Sequence, residues 1–295
     1  MNQDEAQQRR SAAKRSAFSA IVLGGDRSAD DPLLQAAGVC CKALIPVAGT
    51  PMVLRVLEAL RQSLWVDERI LCGPPRQAWE NNAAMRQAMA GHDFRWIANQ
   101  SSPSRSAARA MDEIPADKPV LITTADHALL NRKIIDYFCS RALDSDYDVL
   151  VTLADFQQVT RAYPGVKRTA LRFSDAAYSG CNLFAFLTPA GRRIADFWTR
   201  VESQRKNPFR VIGAAGWIAV LRYLLGRLTL EEGLQRISRR LGLRVGVVVM
   251  PYPQAAVDVD TVHDWQLVEQ ILAAANDSDP DPALAGQPHN AMNSD

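Results

Sequence analysis

The residues best suited to chemistry are a glycine pair, one lysine and three aspartates spread along the chain. Leu23-Gly24-Gly25-Asp26-Arg27 ends a short apolar run at 20–23, and the polar loop continues past Asp30 and Asp31 to Lys42. Backbone N–H groups of a glycine turn and one nearby cation are the donors that hold a phosphate. Asp126 follows a second apolar run, 119–124, and Asp258 and Asp260 come after a third, 243–250. Magnesium is bound through one or two carboxylates together with substrate phosphates, so two aspartates at separate strand ends match its needs. Asp126 and Asp260 would also serve as N-caps for the helices that follow them. Period-two alternation puts Asp258 and Asp260 on one side of the chain, so spacing does not separate them.

Other groups have two uses. The glycine pair lacks both the GxGxxG spacing and the GK[ST] ending of the better-known phosphate loops. A hydroxyl-rich stretch at 99–106 feeds a helical pattern, where Ser104 and Ser106 either cap the helix or face a nucleotide. Arg161, Lys167, Arg168 and Arg172 surround Tyr163-Pro164-Gly165, and Ser179-Gly180-Cys181-Asn182 enters a strand. Cations there suit a phosphate or form a solvated face. Cys181 reads as a small buried residue with no base beside it. His127 reads as structural or substrate-contacting, because an ionised phosphate nucleophile needs no general base.

These residues need elements to hold them. Strand patterns at 20–23, 69–72, 94–97, 119–124 and 148–153 alternate with helical patterns at 52–60, 76–90, 107–113 and from 134 onward. That alternation predicts an α/β fold with a mostly parallel, doubly wound sheet, whose ligands bind beyond the carboxyl ends of the strands. Further along lie a strand at 178–186, helical sequence at 189–241, a strand at 243–250 and a closing helix at 263–275 with Asp264 in its first turn. Residues 18–276 are expected to form a single domain with a helical insertion at about 189–241. The polar stretches 1–17 and 277–295 are expected to be disordered tails. Within the insertion, 217–225 with Arg210, Arg222 and Arg227 forms an apolar, basic face. It reads as core contact, or as cover for an apolar ligand or a peripheral membrane contact.

Composition sets bounds. Hydrophobic residues make up 47% and charged residues 22% of the 295, with a net charge of +2. So small an excess gives no general electrostatic case for nucleic acid or membrane binding. Five cysteines with no CxxC pair speak against a disulfide framework or a zinc site. With no leader-like start and no apolar run of spanning length, the expectation is a cytoplasmic protein without a transmembrane segment.

Taken in order, LGGDR, Lys42 before GTPM, TTADHALL, SGCNLFAF and VDVDTVHDW resemble the sugar-nucleotide and molybdenum-cofactor type nucleotidyltransferases, and most of all the MobA-like NTP transferases. The resemblance runs from about Ser19 to Leu272. It implies a Rossmann-like sheet of the nucleotide-diphospho-sugar transferase (GT-A-like) kind, with helices on both faces. It implies a first loop, Leu23 to Asp26, that wraps a triphosphate, with Lys42 and Arg27 neutralising its charge. Asp126 matches the first Mg2+ ligand, and Asp258 is the first choice for the second, ahead of Asp260. Arg161, Lys167, Arg168, Ser179, Gly180 and Asn182 lie where that family meets its acceptor. The implied reaction moves an NMP group from an NTP to a phosphorylated small molecule and releases pyrophosphate. The family's loop carries a third glycine that is absent after Gly25, which leaves open a non-catalytic nucleotide-binding protein. A glycosyltransferase using a nucleotide sugar is the other alternative on this sheet.

Overall fold

The computed structural model describes residues 17–26, 31–194 and 217–278. Of the expected tails 1–17 and 277–295, residues 1–16 and 279–295 lie outside those residues, as do Arg27, Asp30 and the stretch 195–216 of the expected insertion, which includes Arg210; residues 277 and 278 are the end of the last helix rather than part of a tail. The chain opens with strand β1 (Phe18–Leu23), helix α1 (Pro32–Ala37), a 3-10 turn at Lys42–Leu44 and a hairpin of β2 (Pro46–Val47) and β3 (Thr50–Pro51). There follow α2 (Met52–Gln62), β4 (Val66–Gly73), α3 (Arg76–Trp79), α4 (Ala83–Ala90), β5 (Arg95–Ala98), α5 (Pro103–Met111) and β6 (Val120–Thr124). Then come α6 (Arg132–Leu143), β7 (Val149–Asp155), α7 (Phe156–Ala162), β8 (Leu171–Arg172), β9 (Ala177–Phe186) and α8 (Pro189–Arg192). The described chain ends with α9 (Trp217–Leu224), α10 (Leu230–Leu241), β10 (Val245–Met250) and α11 (Val262–Ser278).

Eight strands form one sheet in the order β10-β7-β9-β6-β1-β4-β5, with β8 beside β9. β1 is an interior strand and pairs in parallel with β4 and β6. Its side chains alternate as the pleat requires. Phe18, Ala20 and Val22 join the cluster built with α2 and α6, while Ile21 and Leu23 join the one built with α5. Helices therefore cover both faces. The predicted apolar stripe of α2 is buried as expected: Val53, Val56, Leu57 and Leu60 all face inward. Fully burying side chains of this size stabilises by roughly 1.5–3 kcal/mol each.

Several elements differ from expectation. The loop between Asp26 and Lys42 contains α1, whose N-cap Asp31 accepts from the Leu33 amide at 2.9 Å, with Pro32 in the first turn. The single helix expected at 76–90 is two, because Asn82 caps a new start at Ala83. The basic stretch after β7 opens with α7, and Arg161 lies in that helix's last turn. β9 runs antiparallel between β6 and β7, so the sheet is mixed. Its register on β7 shifts between Val151 and Thr152, where Asn182 and Leu183 are passed over. Such a bulge re-aims a side chain, and here Asn182 points to the site.

A third apolar cluster gathers the parts that matter. Leu33 and Leu34 of α1, Ile45, Val47, Met52, Ala128, Leu129, Val257, Val259 and Val268 of α11 pack together. Trp265 in α11 donates through Nε1 to the Pro46 carbonyl at 2.7 Å, and the Ala48 amide donates to Glu269 at 2.9 Å. Segments from opposite ends of the sequence are thereby docked around one end of the sheet. No helix among the described residues is long and apolar enough to cross a membrane.

Candidate active site

The site lies beyond the carboxyl ends of β1 and β6. Leu23 ends β1, and the Gly24 amide donates to the Cys72 carbonyl at 2.8 Å while the Ala125 amide donates to the Leu23 carbonyl at 2.9 Å. These bonds carry the pairing of both strands into the loops that follow. Gly25 is placed tightly: a Cβ there would lie 2.8 Å from Nδ2 of Asn99. Asp26 turns back, and its carboxylate accepts from the Lys42 backbone amide at 3.0 Å. That bond closes the loop and fixes where Lys42 begins.

Lys42 is the centre of the arrangement. Its Nζ lies 2.8 Å from Asp126 Oδ2 and 2.7 Å from Asp260 Oδ1. The Lys42 and Asp126 side chains are 20% and 19% exposed, and that of Asp260 is 56% exposed. Burial acts to lower the lysine's pKa, but Asp126 and then Asp260 outweigh it and hold the pKa above its usual value. The ammonium therefore stays charged through the physiological range.

The aspartates are not caps. Asn131 caps α6, its side chain accepting from the Ile134 amide at 3.1 Å. α11 starts with a reciprocal pair: Thr261 Oγ1 accepts from the Asp264 amide, and the Asp264 carboxylate accepts from the Thr261 amide. Asp126 and Asp260 instead converge on Lys42. Asp258 meets different partners. Its Oδ1 is ion-paired with Arg168 Nη1, its Oδ2 accepts from Asn182 Nδ2 at 2.8 Å, and its carbonyl accepts from Arg168 Nη2 at 2.6 Å.

The donor set fits a hard divalent cation. Asp126, Asp258 and Asp260 each offer an oxygen, and these atoms lie within 4.8 Å of one another. Asp126 Oδ1 is buried and has no hydrogen-bond partner among the described residues, an expensive state unless a cation or water meets it. Lys42 Nζ already occupies a cation's place between two of the carboxylates.

The remaining expected residues divide. Ser104 and Ser106 are buried in α5, and the cap is Ser102, whose Oγ accepts from the Arg105 amide. Ser106 Oγ donates to the Ser102 carbonyl and accepts from the Gln100 amide at 2.8 Å, so it fastens the loop. Ser179 is buried with its hydroxyl turned to the Thr169 carbonyl, while Gly180, Arg161 and Lys167 are exposed. Burial pushes the Cys181 thiol up to about 12, which removes it as a nucleophile. His127 is fully buried, and desolvation drives it down to about 4, so it is a neutral imidazole near pH 7. Asn99, beside Gly25, was not named among the expected site residues, although it heads the 99–106 stretch offered as a nucleotide-facing loop.

The family model described as a MobA-like NTP transferase domain matches residues 20–245. The chain belongs to this family. Its members are nucleotidyltransferases, and the glycine loop, Lys42 and Asp126 all fall within the matched residues. Among curated proteins none matches the sequence. A hypothetical transferase from Thermus thermophilus is similar at 28% identity and a TM-score of 0.69, covering 84% of this chain and 99% of that one. A CMP:2-keto-3-deoxy-manno-octonic acid synthetase complexed with CTP is similar at 14% identity and a TM-score of 0.54, covering 88% and 100%. So is a 2-C-methyl-D-erythritol 4-phosphate cytidylyltransferase, also from Thermus thermophilus, at 14% and 0.51, covering 87% and 99%. At such identities the last two speak for the fold alone, the nucleotide-diphospho-sugar transferase fold.

Proposed function

We propose that this MobA-like NTP transferase moves the NMP group of an NTP onto a phosphorylated small molecule with the help of Mg2+. A phosphate oxygen of the acceptor attacks the α-phosphorus, the bond from that phosphorus to the α–β bridging oxygen breaks, and the electron pair leaves with pyrophosphate. Such transfer depends on positioning and charge neutralisation more than on covalent chemistry. No serine, cysteine or histidine nucleophile is called for, in keeping with the burial of His127 and the raised Cys181 thiol.

The observation that carries the proposal is Lys42 Nζ held between Asp126 and Asp260, where a glycine loop ends. The loop from Leu23 to Asp26 is assigned to the triphosphate through its backbone amides. Lys42 is assigned to the phosphate oxygens once they approach, because an ammonium kept protonated neutralises their charge. Asp126 and Asp260 are assigned as the metal-holding pair. Asp258, the first choice on sequence grounds, ranks behind Asp260 because each of its oxygens already accepts from Arg168 or Asn182. The ion would supply charge stabilisation on the phosphate oxygens. Lys167 and Gly180, both exposed, are assigned to the acceptor.

The test is pyrophosphate release from each of the four common NTPs with Mg2+ and a pool of phosphorylated metabolites. Release with one NTP that disappears in Asp126→Ala is the expected result. Nucleotide binding without release would point to a non-catalytic member, and hydrolysis of UDP- or GDP-sugars instead would point to glycosyl transfer.

A further inference from the structure

Arg168 and Asn182 would be expected to greet an acceptor phosphate, but they are occupied elsewhere. Arg168 grips one residue twice, through Nη1 to the Asp258 carboxylate and through Nη2 to the Asp258 carbonyl at 2.6 Å. Asn182 takes the other carboxylate oxygen at 2.8 Å. Three acceptor atoms of Asp258 are thereby satisfied by two side chains. The Arg168 side chain is 10% exposed and that of Asp258 is 18% exposed, so the pair lies mostly out of water. A guanidinium's planar fork suits such a two-point grip, and a lysine's point charge does not.

The consequence lies two residues along. Residues 257–260 form no ladder with the sheet, so something else must fix their path. Val257 and Val259 are fully buried in the third cluster. The Val259 amide donates to the Asp126 carbonyl at 3.0 Å, and the Asp260 amide donates to Asp264 at 3.3 Å. Asp258, between these anchors, is tied by Arg168 from the loop after α7 and by Asn182 from the bulge in β9. We infer that Arg168 and Asn182 are positioning residues: they clamp Asp258 and so hold Asp260 opposite Asp126 at the cation's place. This rests on the proposed metal pair and goes further by naming what aims one member of it. The clamp is supplied by the loop after α7 and by β9, so the carboxylate geometry draws on elements other than those that carry the three aspartates.

Two measurements on the full-length protein separate the inference from the metal reading beneath it. Mn2+ serves as a probe for a hard-cation site. Titration of the wild type should show binding, and Arg168→Gln should weaken it by about 10–100-fold, the usual effect of losing a partner that orients a ligand. Arg168→Lys should fall between the two. In the double variant Arg168→Gln with Asp258→Asn, the losses should not add, because both remove one contact. Hydrogen exchange at the Val259 and Asp260 amides tests the clamp with no metal present. Protection there should drop in Arg168→Gln while β1 and β6 keep theirs. If Arg168→Gln does not fold, Asn182→Ala removes a single bond and should still loosen those amides. A folded Arg168→Gln with wild-type Mn2+ affinity and wild-type exchange overturns the inference. Loss of inorganic phosphate binding in that same variant would then return Arg168 to the acceptor. A wild type that binds no Mn2+ defeats the metal reading alone, and the exchange result still decides the clamp.

Discussion

Replacing Lys42 with methionine should move two properties in opposite directions. In the absence of nucleotide, a divalent ion entering between Asp126 and Asp260 must displace the Lys42 ammonium, which lies 2.8 and 2.7 Å from them. The contact with Asp126 joins two groups that are mostly shielded, and a charged hydrogen bond of that kind contributes about 1.5–3 kcal/mol. The contact with the exposed Asp260 adds no more than about 1 kcal/mol. Part of this returns when the freed ammonium is hydrated, so a net opposing term of roughly 1.4–2.8 kcal/mol is reasonable, which is about 10–100-fold in affinity. Lys42→Met should therefore bind Mn2+ alone about tenfold or more tightly than the wild type. It should also lose about a hundredfold in turnover with NTP, the scale of removing one charge-stabilising group from a transfer site. Calorimetric titration with Mn2+ and a pyrophosphate assay read the two effects. A Mn2+ affinity equal to or weaker than wild type would refute the reasoning, because the lysine would then not be competing with the ion.

Further outcomes follow from other contacts. His127 is neutral in the fold, with its pKa lowered to about 4 from 6.5, so the unfolded chain binds the extra proton between those values and stability falls as pH drops through that window. The full effect is roughly 3 kcal/mol. Urea unfolding at pH 7 and 4.5 should show a smaller loss in His127→Leu than in the wild type. Lys42, whose folded pKa is raised above 10.5, contributes stability that is complete below 10.5 and is lost as pH rises through the higher folded value. Alkaline unfolding should accordingly show a drop that Lys42→Met lacks. Gly191→Ala would drive a Cβ into the Asp148 backbone carbonyl, and thermal unfolding should report a loss of about 1–3 kcal/mol. Gly25→Ala must push Asn99 aside, since its Cβ would lie 2.8 Å from Nδ2. NTP affinity should fall several-fold with little change in melting temperature.

The seven longer strands and their order of appearance were legible because each is a compact apolar run bounded by polar turns, whereas the two-residue β2, β3 and β8 were not. Asp126 stood out as a carboxylate at the end of such a run. The partnership of Lys42 with Asp126 and Asp260 was not, since these contacts span 84 and 218 residues and exist only once the crossovers have folded. The choice between Asp258 and Asp260 also lay beyond spacing. It depends on Arg168, 90 residues away, and on a bulge that aims Asn182. α1 had a readable signal in Asp31-Pro32, a cap followed by a proline at a helix start, but the loop reading of the glycine segment ran past it. The reversed direction of β9 has no local mark at all, because apolar alternation is the same in either direction.

Mg2+-dependent NTP binding, measured by calorimetry on the wild type and on Asp126→Asn, tests the central claim most directly. The account predicts that one or more of the four NTPs binds with Mg2+ present, more weakly without it, and that Asp126→Asn loses this dependence. Equal binding with and without Mg2+, unaltered in Asp126→Asn, would contradict it.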